Sequence, residues 1–290
     1  MSGPPIWLGM DQTELDRAYN QAVFATNLQQ VLQRYASSSD AARALMGEPQ
    51  RFSYGSNAIE EVDVFAIGGK TAPVAIFIHG GAWRSGRARD YAFPAELFLR
   101  AGVHLVVPDF SSVEDLKGDL LSMADQVRRA IAWVYRNAHR FGGNPDRIHL
   151  IGHSSGAHLA AVAMTTDWPD EFGLPANTVT TGLCCSGIYD LKAPRLSARS
   201  AYVRFTDDME ALLSPQRHIN RLTAPLTIAY GSLETPEFQR QARDFAAAIA
   251  KAGKPVALLT GHGYNHFEIL ETLANPYGLL GRAALEQIQA

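Results

Sequence analysis

The chain has 290 residues, of which 47% are hydrophobic, so it can bury a large core and suits one α/β domain as well as two smaller ones. A formal net charge of −3 excludes the strongly basic footprint of proteins that bind nucleic acid or anionic membranes. No apolar run approaches the roughly 18 residues of a transmembrane helix, and residues 1–11 lack the basic start and apolar run of a signal peptide. These observations predict a soluble cytoplasmic protein that binds neither nucleic acid nor membrane.

The first predicted elements precede the main run of strands. Residues 11–46 carry apolar side chains at roughly helical spacing, with a break near residues 25–27. They predict an N-terminal helical segment that either covers the functional site or extends the outer shell. Arg51–Gly68 contains a short run, a turn and an alternating run, which predict an antiparallel pair of strands at a sheet edge.

From residue 74 onward, strands and helices are predicted to alternate. The predicted strands are Val74–Ile78, His104–Val107, Arg147–Ile151, Thr178–Ile188, Leu226–Tyr230 and Val256–Leu259. The predicted helices are Pro94–Arg100, Ser112–Arg140, Ala157–Ala163 and Glu237–Ala252. This alternation predicts an α/β fold with a mostly parallel central sheet covered by helices on both faces. No repeat or linker divides the chain, so residues 1–290 are predicted to form one domain, with the long connection 190–222 as a small cap.

One turn joins a predicted strand directly to a predicted helix. Gly152-His-Ser-Ser-Gly156 follows the strand Arg147–Ile151 without a spacer and leads into the helix Ala157–Ala163. A serine at the tip of such a turn has a strained backbone, and glycines two residues away on either side prevent a collision with its neighbours. This is the pattern of a nucleophile elbow with Ser154 as the nucleophile. The alternative interpretation is an ordinary glycine-containing turn whose serine caps the helix.

A nucleophilic serine needs a base, and the base needs an acid to orient it. In folds that use this elbow, the acid follows the serine in chain order, just beyond a strand. Glu234 lies on the loop after the strand Leu226–Tyr230 and is the predicted acid. Asp190, at the end of the preceding strand, is an alternative acid, and Glu237 is expected in the first turn of a helix, where the helix dipole favours it.

The loop that follows the last predicted strand offers two histidines as the base. His266 lies on a loop with glycine and asparagine that leads into a helix, so it can reach across to Ser154 and is the predicted base. His262 lies close behind the strand and is interpreted as a structural histidine.

A glycine loop after the strand Val74–Ile78 predicts an oxyanion hole. Backbone N–H groups stabilise the negative charge that develops during acyl transfer, and glycines let the backbone approach the substrate closely. The N–H groups of Gly81, Ala82 and Ser155 are the predicted donors. Trp83 is a candidate to bind substrate by stacking on an aryl group, and packing beside the loop is the alternative. We expect His79 to brace this loop rather than to transfer protons.

Neither metal nor redox chemistry has a motif in this sequence, and no cofactor is predicted. His153 and His158 are five residues apart rather than four, so they are interpreted as packing residues. Cys184 and Cys185 are adjacent and would point to opposite faces of a strand, which predicts two buried free thiols. Three arginines, Arg84, Arg195 and Arg204, are candidates to meet a substrate carboxylate, with surface positions as the alternative.

These motifs together resemble the arylformamidase (kynurenine formamidase) group of α/β-hydrolases, which lies near the hormone-sensitive-lipase-like esterases. The resemblance spans about residues 11–285 and includes the His79–Trp83 loop, the Gly152–Gly156 elbow, and His266 with the phenylalanine after it. The most specific part is Glu234-Thr-Pro-Glu-Phe-Gln-Arg-Gln241, an acid followed by a string typical of the group.

The resemblance implies an α/β-hydrolase fold. It also implies hydrolysis of an amide or ester that joins a small, formyl-type acyl group to an aromatic amine or alcohol, as in N-formyl-L-kynurenine. Two positions depart from the family: Glu234 stands where aspartate is more frequent, and Ala82 where tyrosine is common. Because of these departures, the alternative function is that of a generalist carboxylesterase or of an amidase for other N-acyl aryl amines. A non-catalytic α/β-hydrolase that binds a ligand is a more remote alternative. The expected partner is a small aromatic amide or ester, and a homodimer is left open.

Overall fold

The computed structural model describes residues 3–69 and 71–290 and contains one eight-stranded sheet flanked by helices. The strands are β1 Gln50–Ser53, β2 Glu61–Phe65, β3 Ala72–Ile78, β4 His104–Pro108, β5 Gly143–His153, β6 Thr181–Cys185, β7 Leu226–Gly231 and β8 Val256–Gly261. The α-helices are α1 Gln12–Ala18, α2 Leu28–Met46, α3 Ala95–Arg100, α4 Leu120–Asn137, α5 Ser155–Met164, α6 Trp168–Phe172, α7 Lys192–Leu196, α8 Asp207–Leu212, α9 Pro236–Lys251, α10 Glu268–Glu271 and α11 Leu279–Gln289. Short 3-10 turns add residues 21–24, 88–91, 138–141, 198–201, 215–217, 219–221 and 272–274.

The strand order across the sheet is β1-β2-β4-β3-β5-β6-β7-β8. Strands β3 to β8 pair in parallel, whereas β2 is antiparallel to β1 and to β4. The predicted mostly parallel sheet with an antiparallel pair at one edge is therefore confirmed. Because the carboxyl ends of the parallel strands meet at one edge, the loops after β3, β5, β6, β7 and β8 lie together.

Two apolar cores lie on opposite faces of the sheet, since successive side chains along a strand point to opposite sides. On β3, Ile76 and Ile78 join the core formed with α4, α5 and α9. Ala75 and Phe77 of the same strand join the core formed with α2, α3 and α11. Both faces of the sheet are therefore covered, as expected.

Strand β5 begins at Gly143, four residues before the predicted strand Arg147–Ile151. Two other predicted elements are shorter than expected because a left-handed turn interrupts the chain. The expected helix Ser112–Arg140 begins only at Leu120, since Lys117 and Gly118 have positive φ angles of 54° and 87°. Asp119 then caps the new helix by accepting hydrogen bonds from the N–H groups of residues 121 and 122. The expected strand Thr178–Ile188 is confined to β6, which ends where Ser186 adopts a φ of 58°.

The N-terminal segment has the predicted helices, and the connection 190–222 contains elements that were not predicted. Residues 11–46 form α1, a 3-10 turn and α2, with the interruption at residues 25–27. Residues 190–222 form two short helices and three 3-10 turns between β6 and β7. Among the helices of residues 3–69 and 71–290, none combines the length and the hydropathy of a membrane span.

Candidate active site

The elbow that the sequence predicts is present at the end of β5. Ser154 has φ 56° and ψ −124°, a left-handed conformation that a non-glycine residue adopts only when its surroundings enforce it. Gly156 permits the turn, because a Cβ atom there would lie 2.1 Å from the carbonyl oxygen of Ile78. The β5–α5 connection is therefore packed directly against the end of β3, and the serine side chain projects at the edge of the sheet.

Three predicted residues form one hydrogen-bonded chain. Ser154 Oγ lies 2.8 Å from His266 Nε2, and His266 Nδ1 lies 3.0 Å from Glu234 Oε2. All three side chains are buried: the exposed fractions are 8%, 3% and 2% for Ser154, His266 and Glu234. With Nδ1–H donating to the carboxylate, Nε2 is free to accept the serine proton, the arrangement that nucleophilic catalysis requires.

The Glu234 carboxylate is fixed by further donors that sequence reasoning missed. Its Oε1 atom accepts hydrogen bonds from Ser186 Oγ at 2.5 Å and from the Gly231 N–H at 2.6 Å. Its Oε2 atom also meets Gln21 Nε2 at 3.4 Å, a contact from the N-terminal segment. No sequence pattern connects Gln21 or Ser186 with Glu234, because the contacts arise only when distant loops meet at the sheet edge.

The alternative acids have other partners. Asp190 accepts hydrogen bonds from the Lys192 N–H at 2.8 Å and from Arg217 at 3.3 Å, so its carboxylate is bound outside the chain of three residues. Glu237 lies in the first turn of α9, as expected, and pairs with Arg240 at 2.7 Å while accepting a hydrogen bond from Tyr19. Glu237 therefore anchors α1 to α9.

The other histidines near the site are structural by geometry. His153 Nε2 donates to the His266 carbonyl oxygen at 2.8 Å, and burial lowers the pKa of His153 to about 3, so its ring is neutral. His158 donates from Nε2 to the Leu213 carbonyl oxygen at 2.8 Å, with its pKa lowered to about 4 by burial. His262 differs from the expectation of a satisfied structural residue, because its side chain is exposed.

The predicted oxyanion loop lies against the elbow. A Cβ atom on Gly80 would be 3.0 Å from the Ser154 Cβ atom, and Gly81 has φ 124° at a position where a Cβ atom would be 2.0 Å from the Ser85 carbonyl oxygen. Within the described residues, the N–H groups of Gly81 and Ala82 have no hydrogen-bond acceptor. Ser155 is the first residue of α5, where a backbone N–H has no acceptor inside the helix. These three N–H groups remain the candidate donors to an oxyanion.

His79 and Trp83 support this loop from within. His79 is stacked between Phe110 and Tyr91, with ring centroids 4.4 and 5.2 Å away, in agreement with the expected bracing role. Trp83 differs from the prediction of a substrate contact: its side chain is 2% exposed, and its Nε1–H donates to His158 Nδ1 at 3.2 Å. The left-handed backbone at Trp83, φ 64°, turns the indole into the core instead of toward Ser154.

The chain of three residues opens into a cavity of about 830 Å³. Gly81, Ala82, Ser154 and His266 line its floor, and both the N-terminal segment and the 190–222 connection contribute to its walls. The wall residues from these two segments include Tyr19, Leu32, Tyr35, Arg199 and Tyr202. Residues 11–46 therefore do cover the site, which the sequence had left open.

The two cysteines, Cys184 and Cys185, lie side by side at the end of β6. Both cysteines are free and buried, as predicted, and burial raises the pKa of each thiol. Among the described residues, no group of three or more histidine, cysteine, aspartate or glutamate side chains is placed to hold a metal ion.

Comparisons with known proteins agree on the class of protein. The family model BD-FAE matches residues 63–182. The chain is similar to a kynurenine formamidase of Danio rerio, with 27% identity over 97% of this chain and 98% of that protein, and to one of Salmo salar, with 27% identity over 93% and 94%. It is also similar to the esterase LipQ of Mycobacterium tuberculosis, with 29% identity over 64% of this chain and 47% of that protein. Among solved structures, a putative thioesterase of a Silicibacter species superposes with a TM-score of 0.79 at 23% identity, covering 96% of this chain and 99% of that one.

The chain has an α/β-hydrolase fold, and it is similar to the arylformamidases over nearly its whole length. Its sheet has the strand order of this fold, and two of the relatives that match more than nine-tenths of the chain are kynurenine formamidases. The arylformamidase-like protein is thus a hydrolase enzyme of the class that cleaves acyl esters or amides.

Proposed function

We propose that this hydrolase cleaves a small acyl group, formyl in the first instance, from an aromatic amine or alcohol, with an N-formylkynurenine-like amide as the type substrate. The hydrogen-bonded chain Ser154–His266–Glu234 at the floor of the cavity is the observation that carries the proposal. The choice of formyl amide rests on the similarity to kynurenine formamidases over more than nine-tenths of the chain.

In the proposed mechanism, Ser154 Oγ attacks the acyl carbon while His266 Nε2 takes the hydroxyl proton. Glu234 holds the imidazole by its Nδ1–H and stabilises the imidazolium that forms. The N–H groups of Gly81, Ala82 and Ser155 receive the developing oxyanion. His266 then protonates the leaving amine or alcohol, and water, activated by the same histidine, hydrolyses the acyl-enzyme.

A generalist carboxylesterase or an amidase for other N-acyl aryl amines is the second candidate. Ala82 favours it, since a methyl side chain at the floor of an 830 Å³ cavity leaves room for an acyl group larger than formyl. The esterases among the relatives support the same direction.

The first test compares Ser154→Ala with Ser155→Ala on purified enzyme. Ser154→Ala is expected to lower kcat by about 10⁴-fold or more, since the nucleophile is lost. Ser155→Ala removes only a hydroxyl and keeps the N–H group, so it is the matched control and should retain most activity. A fluorophosphonate probe should label the parent and the control but not Ser154→Ala, and a fully active Ser154→Ala variant would refute the mechanism.

The substrate is tested by rates on N-formyl-L-kynurenine, N-acetyl and longer N-acyl anthranilates, and p-nitrophenyl esters. Fast deformylation with weak activity on the rest would support the formamidase proposal. Slow deformylation with good turnover of a bulkier amide or ester would favour the second candidate. No labelling and no turnover of any of these compounds would favour a ligand-binding protein.

A further inference from the structure

A buried positive charge lies in the wall of the active-site cavity without a negative partner. Two arginines among the described residues are buried, Arg43 and Arg199, with exposed fractions of 6% and 8%. Arg43 forms an ion pair with Asp40 at 2.5 Å. Arg199 lines the cavity that holds Ser154, and no carboxylate of the described residues lies within 4.0 Å of it. Buried arginines are normally paired, so this one requires an explanation.

The neighbours of Arg199 are neutral and leave part of its guanidinium unused. Nη1 donates to the Tyr202 hydroxyl at 3.0 Å, and Nη2 donates to the Tyr19 carbonyl oxygen at 3.2 Å. A guanidinium has five N–H groups. The Nε–H, fully buried, has no acceptor within the described residues. The aromatic rings of Trp83, Tyr19 and Phe238 lie 5.1 to 5.9 Å from the guanidinium carbon, which stabilises a cation without neutralising it.

The other charged side chains of the cavity are either exposed or paired. Arg17 is exposed, with its guanidinium carbon 5.7 Å from the centre of the Phe24 ring. Arg84 pairs with Glu114 at 2.7 Å and is half-exposed. Asp16 accepts hydrogen bonds from the Ala198 N–H at 2.6 Å and from Gln12 at 2.9 Å. The remaining arginines considered from the sequence lie elsewhere, since neither Arg195 nor Arg204 lines the cavity. Arg199 is therefore the buried, uncompensated charge in the wall of this site.

We infer that Arg199 recognises a carboxylate on the aromatic part of the substrate. A guanidinium matches a carboxylate in shape and charge, and in a site shielded from water such a pair is far stronger than at the surface. An anionic substrate would supply the missing counter-ion, whereas a neutral substrate would leave Arg199 unpaired. The inference rests on the proposed function. It narrows the substrate class to amides or esters whose aromatic amine or alcohol carries a carboxylate.

The kinetic test uses the 2-, 3- and 4-formamidobenzoates beside the corresponding neutral formamidobenzamides. The parent enzyme is expected to prefer at least one carboxylate isomer over its amide by tenfold or more in kcat/KM. Arg199→Gln should reduce that preference at least tenfold, and Arg199→Lys should restore part of it. Arg84→Gln is the matched control, since it removes a paired arginine from the same cavity, and should leave the preference within threefold.

Two results would overturn the inference. One is a parent enzyme that shows no preference for any carboxylate isomer, a measurement that does not depend on any variant folding. The other is an equal loss of both substrates in Arg199→Gln, which a purely structural arginine would produce by displacing the N-terminal segment.

A binding measurement separates this inference from the proposed mechanism. In a Ser154→Ala background, benzoate should bind more tightly than benzamide, and Arg199→Gln should abolish the difference. If Ser154→Ala is inactive but benzoate binds no better than benzamide, the mechanism stands and the carboxylate inference fails. If Ser154→Ala remains active while Arg199 controls benzoate binding, the mechanism fails and the anion site stands.

Discussion

Glu234 accepts hydrogen bonds on both carboxylate oxygens, and its donors fix the distance at which it holds His266. Oε1 is bound to Ser186 and to the Gly231 N–H, while Oε2 meets His266 Nδ1. The longer arm of glutamate, a departure from the family, is therefore accommodated by its loop. Ser186 contributes through a left-handed backbone, φ 58°, that turns its hydroxyl toward the acid.

Replacing Glu234 by the shorter aspartate should lower activity, although the carboxylate itself is kept. Glu234→Asp withdraws the carboxylate by one methylene, so it cannot reach His266 and both Oε1 donors together. We expect kcat to fall by about 10- to 100-fold, as misplacements of about 1 Å do in active sites. Steady-state kinetics with a thermal melt as the folding control measure this, and a kcat within threefold of the parent would show that the loop adjusts freely.

At the scale of elements, the N-terminal segment holds both loops that carry Glu234 and His266. Gln21 accepts a hydrogen bond from the Thr235 N–H at 3.2 Å beside Glu234. Asn27 donates to Glu268 at 2.6 Å and accepts from Asn265 at 2.9 Å, beside His266. The segment is therefore both a wall of the cavity and a brace for the acid and base loops.

Removing the brace at one point should lower activity without unfolding the protein. Gln21→Ala deletes the amide that contacts Glu234 and the Thr235 N–H, so we expect kcat to fall by roughly 3- to 10-fold from lost positioning. Gln30→Ala is the matched control, since Gln30 is exposed on α2 with no described hydrogen bond. Equal kcat values for the two variants would contradict a positioning role for Gln21.

The elements were largely predictable from the sequence, whereas the support of the site was not. Strands such as β3 and β7 are short, mostly apolar runs, so local composition defines them within two residues. The start of α4 was missed because the turn at Lys117 and Gly118 interrupts a segment whose composition still favours a helix. Motif and chain order predicted Ser154, Glu234 and His266. They did not predict Arg199 and Gln21, whose hydrogen-bond partners lie about 180 and 214 positions away in the chain. No local pattern encodes such contacts.

At the scale of the whole molecule, the buried histidines should make the fold sensitive to acid. Burial lowers the pKa of His149 to about 4, of His153 to about 3 and of His158 to about 4, against 6.5 in an unfolded chain. The unfolded state therefore binds more protons below pH 6.5, and stability falls as the pH decreases. Asp63 opposes this, since burial raises its pKa from 3.8 to about 6 and favours folding as it protonates.

The destabilisation by the three histidines at low pH is larger than the stabilisation by Asp63. Between pH 7 and pH 5, each histidine destabilises the fold by up to about 2 kcal/mol, while Asp63 returns about 1 kcal/mol. We expect the free energy of unfolding from urea titrations to drop by a few kcal/mol over this range. His149→Gln, far from the cavity, should show a weaker pH dependence than the parent. A parent protein equally stable at pH 5 and pH 7 would contradict the assignment of these rings as neutral.

The contacts of the N-terminal segment also bear on how the enzyme is made. Residue 21 meets residues 234 and 235, and residue 27 meets residues 265 and 268, more than 200 positions later in the chain. During synthesis α2 can pack early, since Tyr35 contacts Tyr91 and Phe93, but residues 21 and 27 meet their partners only when nearly the entire chain has emerged. The contacts among Ser154, Glu234 and His266 are therefore among the last in the molecule to form, because residue 266 is made near the end of synthesis.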